Sequence, residues 1–216
     1  YEHLPMPFGL SEKIDELLHR IEQPNINSGW VAMSPNCQNI VWTVGDRFKV
    51  TADAAVVSND GGRTFKKCTI YDKCGYPVTD DRGFKVFSDR VQSSLFYAFG
   101  EASQMYISKD GGNTFCEKTL PEGFPAVEFH YMDGADKTEV RGDAGRSGIF
   151  YIALRQHGLW KLKYHMEADL FTAERLTKDK ETVYAAGLGI RTPEGRYLGE
   201  DKAIYIAGTI AGEYGF

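Results

Sequence analysis

The sequence predicts an all-β fold, a partial β-propeller of about four blades, each a four-stranded antiparallel sheet, with one N-terminal helix. Three observations predict it. Twelve short runs rich in β-branched and aromatic residues follow one another from about residue 30 onward. The phrase Ser-Asn-Asp-Gly-Gly-Arg-Thr-Phe at 58–65 returns as Ser-Lys-Asp-Gly-Gly-Asn-Thr-Phe at 108–115, an offset of 50 residues. A repeat of that period, with about four strands in each unit, is what a propeller blade requires. A single amphipathic helical pattern precedes all the β-rich runs.

The elements follow in order. In "SEKIDELLHRIEQP", Ile14, Leu17, Leu18 and Ile21 recur at helical spacing and share one face, Ser11 caps the start and Pro24 stops the helix. This helix places an N-terminal segment at 1–29, docked on a propeller domain at 30–216. After Gly29 come "GWVAMS", "NIVWTV", "DAAVVS" and "RTFKKCTI", with the first copy of the phrase between the third and fourth runs. "FKVFSD", "SLFYAFG", "QMYISK" and "NTFCEKTL" repeat that order around the second copy. A third round keeps "GIFYIAL", "GLWKLKYH" and a terminal Phe171, but "KYHMEADL" stands where the phrase belongs. A fourth begins at "TVYAAGLGI", continues through "AIYIAGTI" and stops before its own copy.

The phrase has the chemistry of a hairpin staple. An Asp carboxylate accepts several turn N–H groups, Gly61 and Gly62 permit positive φ, and Ser and Thr hydroxyls tie the ends. Ser58, Asp60, Gly62, Thr64 and Phe65 form the first structural set, and Ser108, Asp110, Gly112, Thr114 and Phe115 the second, each Phe packing inward. A calcium loop needs oxygen ligands at alternate positions, where Gly or Arg stands here. Asp60 and Asp110 are therefore expected to be structural, with no metal bound.

Composition bounds the function. The formal charge of −5 is modest and spread along the 216 residues, unlike the basic footprint of a nucleic-acid binder or a polybasic membrane anchor. No run reaches the roughly 18 to 20 apolar residues of a membrane span. No Gly-rich phosphate loop, Ser-His-Asp order or Cys-His pairing is present, so no cofactor is expected. Cys37, Cys68, Cys74 and Cys116 make an even count without a CxxC pair, which suits a secreted disulfide protein better than a zinc site. Cys68 and Cys74 either close a small loop or remain free thiols. His130 with Asp133 and Asp136 in "EFHYMDGAD" reads as a solvent-facing loop cluster. The opening "YEHLPMPFGL", without Met or signal pattern, and the closing strand-like run lead to the expectation of a piece of a longer protein.

The phrase resembles the Asp box, or BNR repeat, of sialidases, sortilin-type receptors and several glycosidase propellers. The Arg-Ile-Pro stretch of sialidases and the cysteine-dense module of sortilin-type proteins do not occur here. The order of stretches resembles glycoside hydrolase family 74, the xyloglucan-cleaving enzymes built from two propellers. "SPNCQNIVWTVGD", "SDRVQSSLFYAFG", "YISKDGGNTF" and "KAIYIAGTIAGEYGF" carry the resemblance, which covers about residues 30 to 216 and matches the later part of the second propeller. The helix at 11–23 falls outside that pattern.

The resemblance implies a secreted or cell-surface protein acting on a polysaccharide. The family hydrolyses β-1,4-glucan with inversion, using two aspartates about 6.5 to 9.5 Å apart. Each of those aspartates stands in an Asp-Ile-Gly-Gly or Asp-Val-Gly-Gly stretch. This chain has neither, so no catalytic residue is carried over and the acid and base are expected in sequence beyond it. For sugar binding, the flat face of Trp42 is the first candidate, with Trp30 and Trp160 behind it. About four blades do not close a ring, so the remaining blades are expected from the parent chain or a partner. The alternative is a non-catalytic propeller serving as a glycan- or protein-binding scaffold.

Overall fold

The computed structural model describes residues 29–44, 55–78, 85–100, 104–126, 139–190, 202–210 and 212–215. The expected helix at 11–23 and the His130, Asp133 and Asp136 cluster lie outside the described residues. The described chain is all-β and falls into two compact units. One holds the described residues up to Ser88 together with Gln92–Thr119, and the other holds Asp89–Val91, Leu120–Ala126 and everything from Glu139 onward.

The first unit contains two sheets. Strands β1 (Gly29–Met33), β2 (Ile40–Val44), β3 (Ala55–Ser58) and β4 (Lys66–Lys67) pair antiparallel in chain order. Residues paired across antiparallel strands share a face. Ala32, Val41 and Val57 therefore point one way, and Val31, Trp42 and Val56 the other. Strands β6 (Lys85–Ser88), β7 (Phe96–Phe99), β8 (Met105–Ser108) and β9 (Thr114–Lys118) form the second sheet, with β5 (Thr69–Tyr71) added in parallel outside β9. Ala32, Val41, Ala55 and Val57 of the first sheet meet Val86, Phe96, Ala98 and Phe115 of the second in one buried cluster. Each fully buried side chain of the Val or Phe class contributes about 1.5 to 3 kcal/mol relative to leaving it in water.

The second unit repeats the plan. Strands β10 (Glu139–Gly142), β11 (Ile149–Ala153), β12 (Leu159–His165) and β13 (Leu170–Arg175) form an antiparallel four-stranded sheet. Strands β14 (Thr182–Ile190), β15 (Lys202–Ile210) and β16 (Glu213–Gly215) form a three-stranded one. Ile149, Tyr151, Ala153 and Leu159 pack against Val183 and Ala186.

All twelve expected runs contain strand, and the described residues hold sixteen strands in all. The additional four are instructive. "RTFKKCTI" divides at Cys68, whose N–H donates to Ala55 O at 3.0 Å inside the first sheet, while Thr69 N donates to Asn113 O at 2.9 Å in the second. One β-rich run thus ends one sheet as β4 and begins the outer edge of the next as β5. β10 reads "EVRG" and β13 reads "LFTAER", in which Phe171 is the one large buried side chain, so neither carries a strong apolar alternation. β16 has three residues. The four cysteines are free thiols. Cys68 does not close a loop with Cys74, which occupies a turn pinned by the Asp72 carboxylate, accepting from Cys74 N at 2.8 Å and Tyr76 N at 2.9 Å.

Candidate functional site

The two copies of the repeated phrase fold into one turn joining the third and fourth strands of their sheets. Asp60 Oδ1 accepts from the Ser58 hydroxyl at 2.7 Å, Arg63 N at 3.0 Å and Thr64 N at 2.9 Å, and Oδ2 accepts from the Thr64 hydroxyl at 2.6 Å. Ser58 Oγ in turn accepts from Gly62 N at 2.8 Å. Asp110 repeats the set with Ser108 at 2.8 Å, Thr114 N at 2.9 Å and the Thr114 hydroxyl at 2.7 Å, and Gly112 N donates to Ser108 Oγ at 2.9 Å. The donors converging on Asp60 stabilise its ionised form. The Thr64 hydroxyl and amide, then the Ser58 hydroxyl, hold its carboxyl far below the usual carboxylate range.

Each turn is also tied to the connection between the first two strands of its own sheet, through Gly61 N to Gln38 O and Gly111 N to Ser94 O, both at 2.9 Å. The second turn reaches further, into the first sheet. A Cβ on Gly112 would stand 2.3 Å from Val41 Cγ2 and 3.1 Å from Val57 Cγ2, and its φ is +94°. Asn59 Nδ2 donates to Asn39 Oδ1 at 3.0 Å and to Gly111 O at 3.2 Å, while Asn39 Nδ2 donates to Ser93 O at 2.9 Å. Phe115 is fully buried and Phe65 half-buried, because β5 lies outside Phe115 in register with Ile70 whereas the described residues add no fifth strand to the first sheet. In the third sheet, where the phrase is missing, the Tyr164 hydroxyl donates to Asp169 Oδ1 at 2.5 Å, with Asp169 at φ 52° and Phe171 packed 4.9 Å from the Tyr164 ring.

A second recurrent device escapes a reading based on the phrase alone. Ser34, Asp89 and Asp143 each follow directly on the first strand of a sheet, and each is almost wholly buried. Ser34 Oγ accepts from Asn39 N at 3.0 Å; Asp89 accepts from Val91 N at 2.8 Å and Gly148 N at 2.7 Å; Asp143 accepts from Gly145 N at 2.9 Å and grips Arg146 at 3.0 Å. The signal in the sequence is a short polar residue at the end of the leading β-rich runs "GWVAMS" and "FKVFSD"; Asp143 follows "EVRG", which is not β-rich. Its varied identity hides it.

Trp42 and Trp30 belong to the first unit and Trp160 to the second. Trp42 lies in the middle of β2, half-buried, on the same face as the exposed Val31. Trp30 pairs with Thr43 and so occupies the opposite face, against the first core cluster. Trp160 is 9% exposed, covered edge-on by Phe124 at 5.4 Å, with its indole N–H donating to His157 O at 2.8 Å. Trp160 belongs to the end of the third sheet away from the Tyr164–Asp169 turn, where the β11–β12 turn at 154–158 meets β14. There Arg155 N donates to Val183 O at 2.8 Å, Val183 N donates back at 2.9 Å, and the Arg155 guanidinium lies 5.9 Å from the centre of the Tyr184 ring. Neither Arg155 nor Tyr184 is marked by spacing or motif, since their meeting depends on the fourth sheet packing beside the third.

These sheets define the class of the protein, a partial β-propeller of four-stranded antiparallel blades. The chain matches no family model, and comparison with curated proteins finds no match. Among solved structures it is similar to a family GH74 enzyme from Niastella koreensis, with 16% identity, a TM-score of 0.50, and 88% of this chain and 30% of that one covered. Two further matches are the GH74 xyloglucanase from Xanthomonas campestris (20% identity, TM-score 0.47, 86% and 29% covered) and an ancestral GH74 enzyme (14%, 0.38, 72% and 28%). The chain spans 28–30% of the length of these structures.

Proposed function

We propose that this chain is part of a secreted glycoside hydrolase-like propeller that acts on xyloglucan or a related β-1,4-glucan by inverting hydrolysis. Its catalytic aspartates lie in sequence outside this segment. The repeated turns are Asp boxes, and the remaining blades come from the parent chain or a partner. The observation that carries this reading is the fold shared over 88% of the chain with the Niastella koreensis GH74 enzyme. The four sequence stretches that resemble family 74 support it. In this reading the chain supplies one wall of a polysaccharide cleft and no acid or base of its own. The test is release of reducing ends from xyloglucan by the full-length parent; no cleavage of any β-glucan removes the hydrolase reading.

A second reading, a non-catalytic scaffold for glycan or protein contacts, draws on the lack of an Asp-Ile-Gly-Gly stretch and on the third turn, where "KYHMEADL" stands in place of the phrase. Trp42→Ala separates the two. Weakened oligosaccharide binding supports the cleft, and unaltered glycan binding with loss of a protein partner supports the scaffold.

A further inference from the structure

Arg155 holds a backbone conformation that arginine rarely adopts, with φ 50° in the left-handed region. A strained residue persists only where its surroundings fix it, and such positions concentrate at functional sites. The fixing groups are all visible. Arg155 exchanges two backbone bonds with Val183, Leu154 N donates to Gly158 O at 2.8 Å, His157 N donates to Leu154 O at 2.9 Å, and the Trp160 indole holds His157 O from beneath. The turn is therefore held in place, and it carries the half-buried Arg155 beside the exposed Gln156. The guanidinium lies over the ring of Tyr184, a residue 42% exposed, and Nε, like that of Arg175, is buried without a hydrogen-bond partner. Other arginines of this unit hold carboxylates: Arg141 pairs with Glu139, Arg146 with Asp143 and Arg175 with Asp179. Among the described residues, Arg155 has no such partner.

We propose that Arg155, braced on Tyr184, is a binding point for a carboxylate carried by a glycan, the uronate group of an acidic sugar. The proposal rests on the glycan-binding reading above and adds a ligand class to it. A guanidinium fork matches the two oxygens of a carboxylate, and such charge-assisted bonds are about twice as strong as neutral ones to a hydroxyl. Ordering cost is small, because the turn and the stacked ring already fix the donors. The uncovered part of Tyr184 offers an apolar surface for the C–H edge of the same sugar ring. Glu181, close by in sequence, accepts from Lys178 N at 2.8 Å.

The test is calorimetric titration of the protein with two probes of equal length, a glucuronic-acid-bearing oligosaccharide and a neutral cello-oligosaccharide. Wild type is expected to prefer the acidic probe by about tenfold, the value of one charge-assisted bond. Arg155→Asn tolerates the left-handed backbone, removes the charge and is expected to abolish the preference. Arg155→Lys should retain part of the preference. Added salt should weaken only the acidic probe, and near-UV circular dichroism confirms that each variant is folded. Equal affinities in wild type, or a preference that survives Arg155→Asn, overturn this proposal and leave glycan binding standing. Binding of neither probe overturns both.

Discussion

Replacing Gly112 by alanine separates two reasons for glycine in the repeated turn. The first reason is conformational: at φ +94° a side chain is strained, and the cost is about 1 to 2 kcal/mol. The second is proximity, since a Cβ 2.3 Å from Val41 Cγ2 forces the two sheets of the first unit apart or drives Val41 off its rotamer, costing about 1 to 3 kcal/mol more. Alanine also stiffens the unfolded chain, which returns about 0.4 to 1 kcal/mol. Gly112→Ala is therefore expected to destabilise by about 2 to 4 kcal/mol, a large part of a typical domain stability of about 5 to 15 kcal/mol. Gly75→Ala is the control. Gly75 has a similar φ of +83° with nothing within 4 Å, so only the conformational cost applies. Urea unfolding followed by tryptophan fluorescence reports directly, because Trp30 and Trp42 both lie in the first sheet. Equal losses in the two variants refute the claim that the turn is shaped by the sheet it packs against.

Asp60→Asn is expected to flatten the acid limb of the stability curve. A carboxyl whose folded pKa is depressed contributes stability above its unfolded value, about 3.9, and loses it as pH falls through the folded value; thermal unfolding between pH 6 and pH 2 should therefore show a smaller loss in the variant. Asn39→Ala and Asn59→Ala are expected to be non-additive by about 0.5 to 2 kcal/mol, because Asn59 bonds both Asn39 and the second turn. A double-mutant cycle in urea measures the coupling, and strict additivity refutes the clasp between turns.

The strands and the repeated turn were legible in the sequence for a definite reason. Short runs of apolar residues, as in Ala55–Ser58 and Met105–Ser108, and a phrase whose Asp, Gly, Ser and Thr serve one local bonding pattern are short-range properties. β10 and β13 were illegible because their place in the sheet is set by the neighbours they pair with. The division at Cys68 was hidden likewise, since one extended run satisfies two different sheets in succession. Of the candidate residues, Trp42, Trp30 and Trp160 could be chosen by type alone, but the faces they occupy follow from register, which a shift of one residue reverses.

By itself, then, the sequence determined an all-β chain, the period of its sheets and the internal bonding of its two matching turns, because each depends on residues within hydrogen-bonding reach along the chain. Only the tertiary structure decided that Gly112 must clear Val41, that Asn59 reaches the second turn, and that Arg155 rests on Tyr184. Those relations join residues from different sheets, and the distance between sheets is fixed by the packing of whole faces.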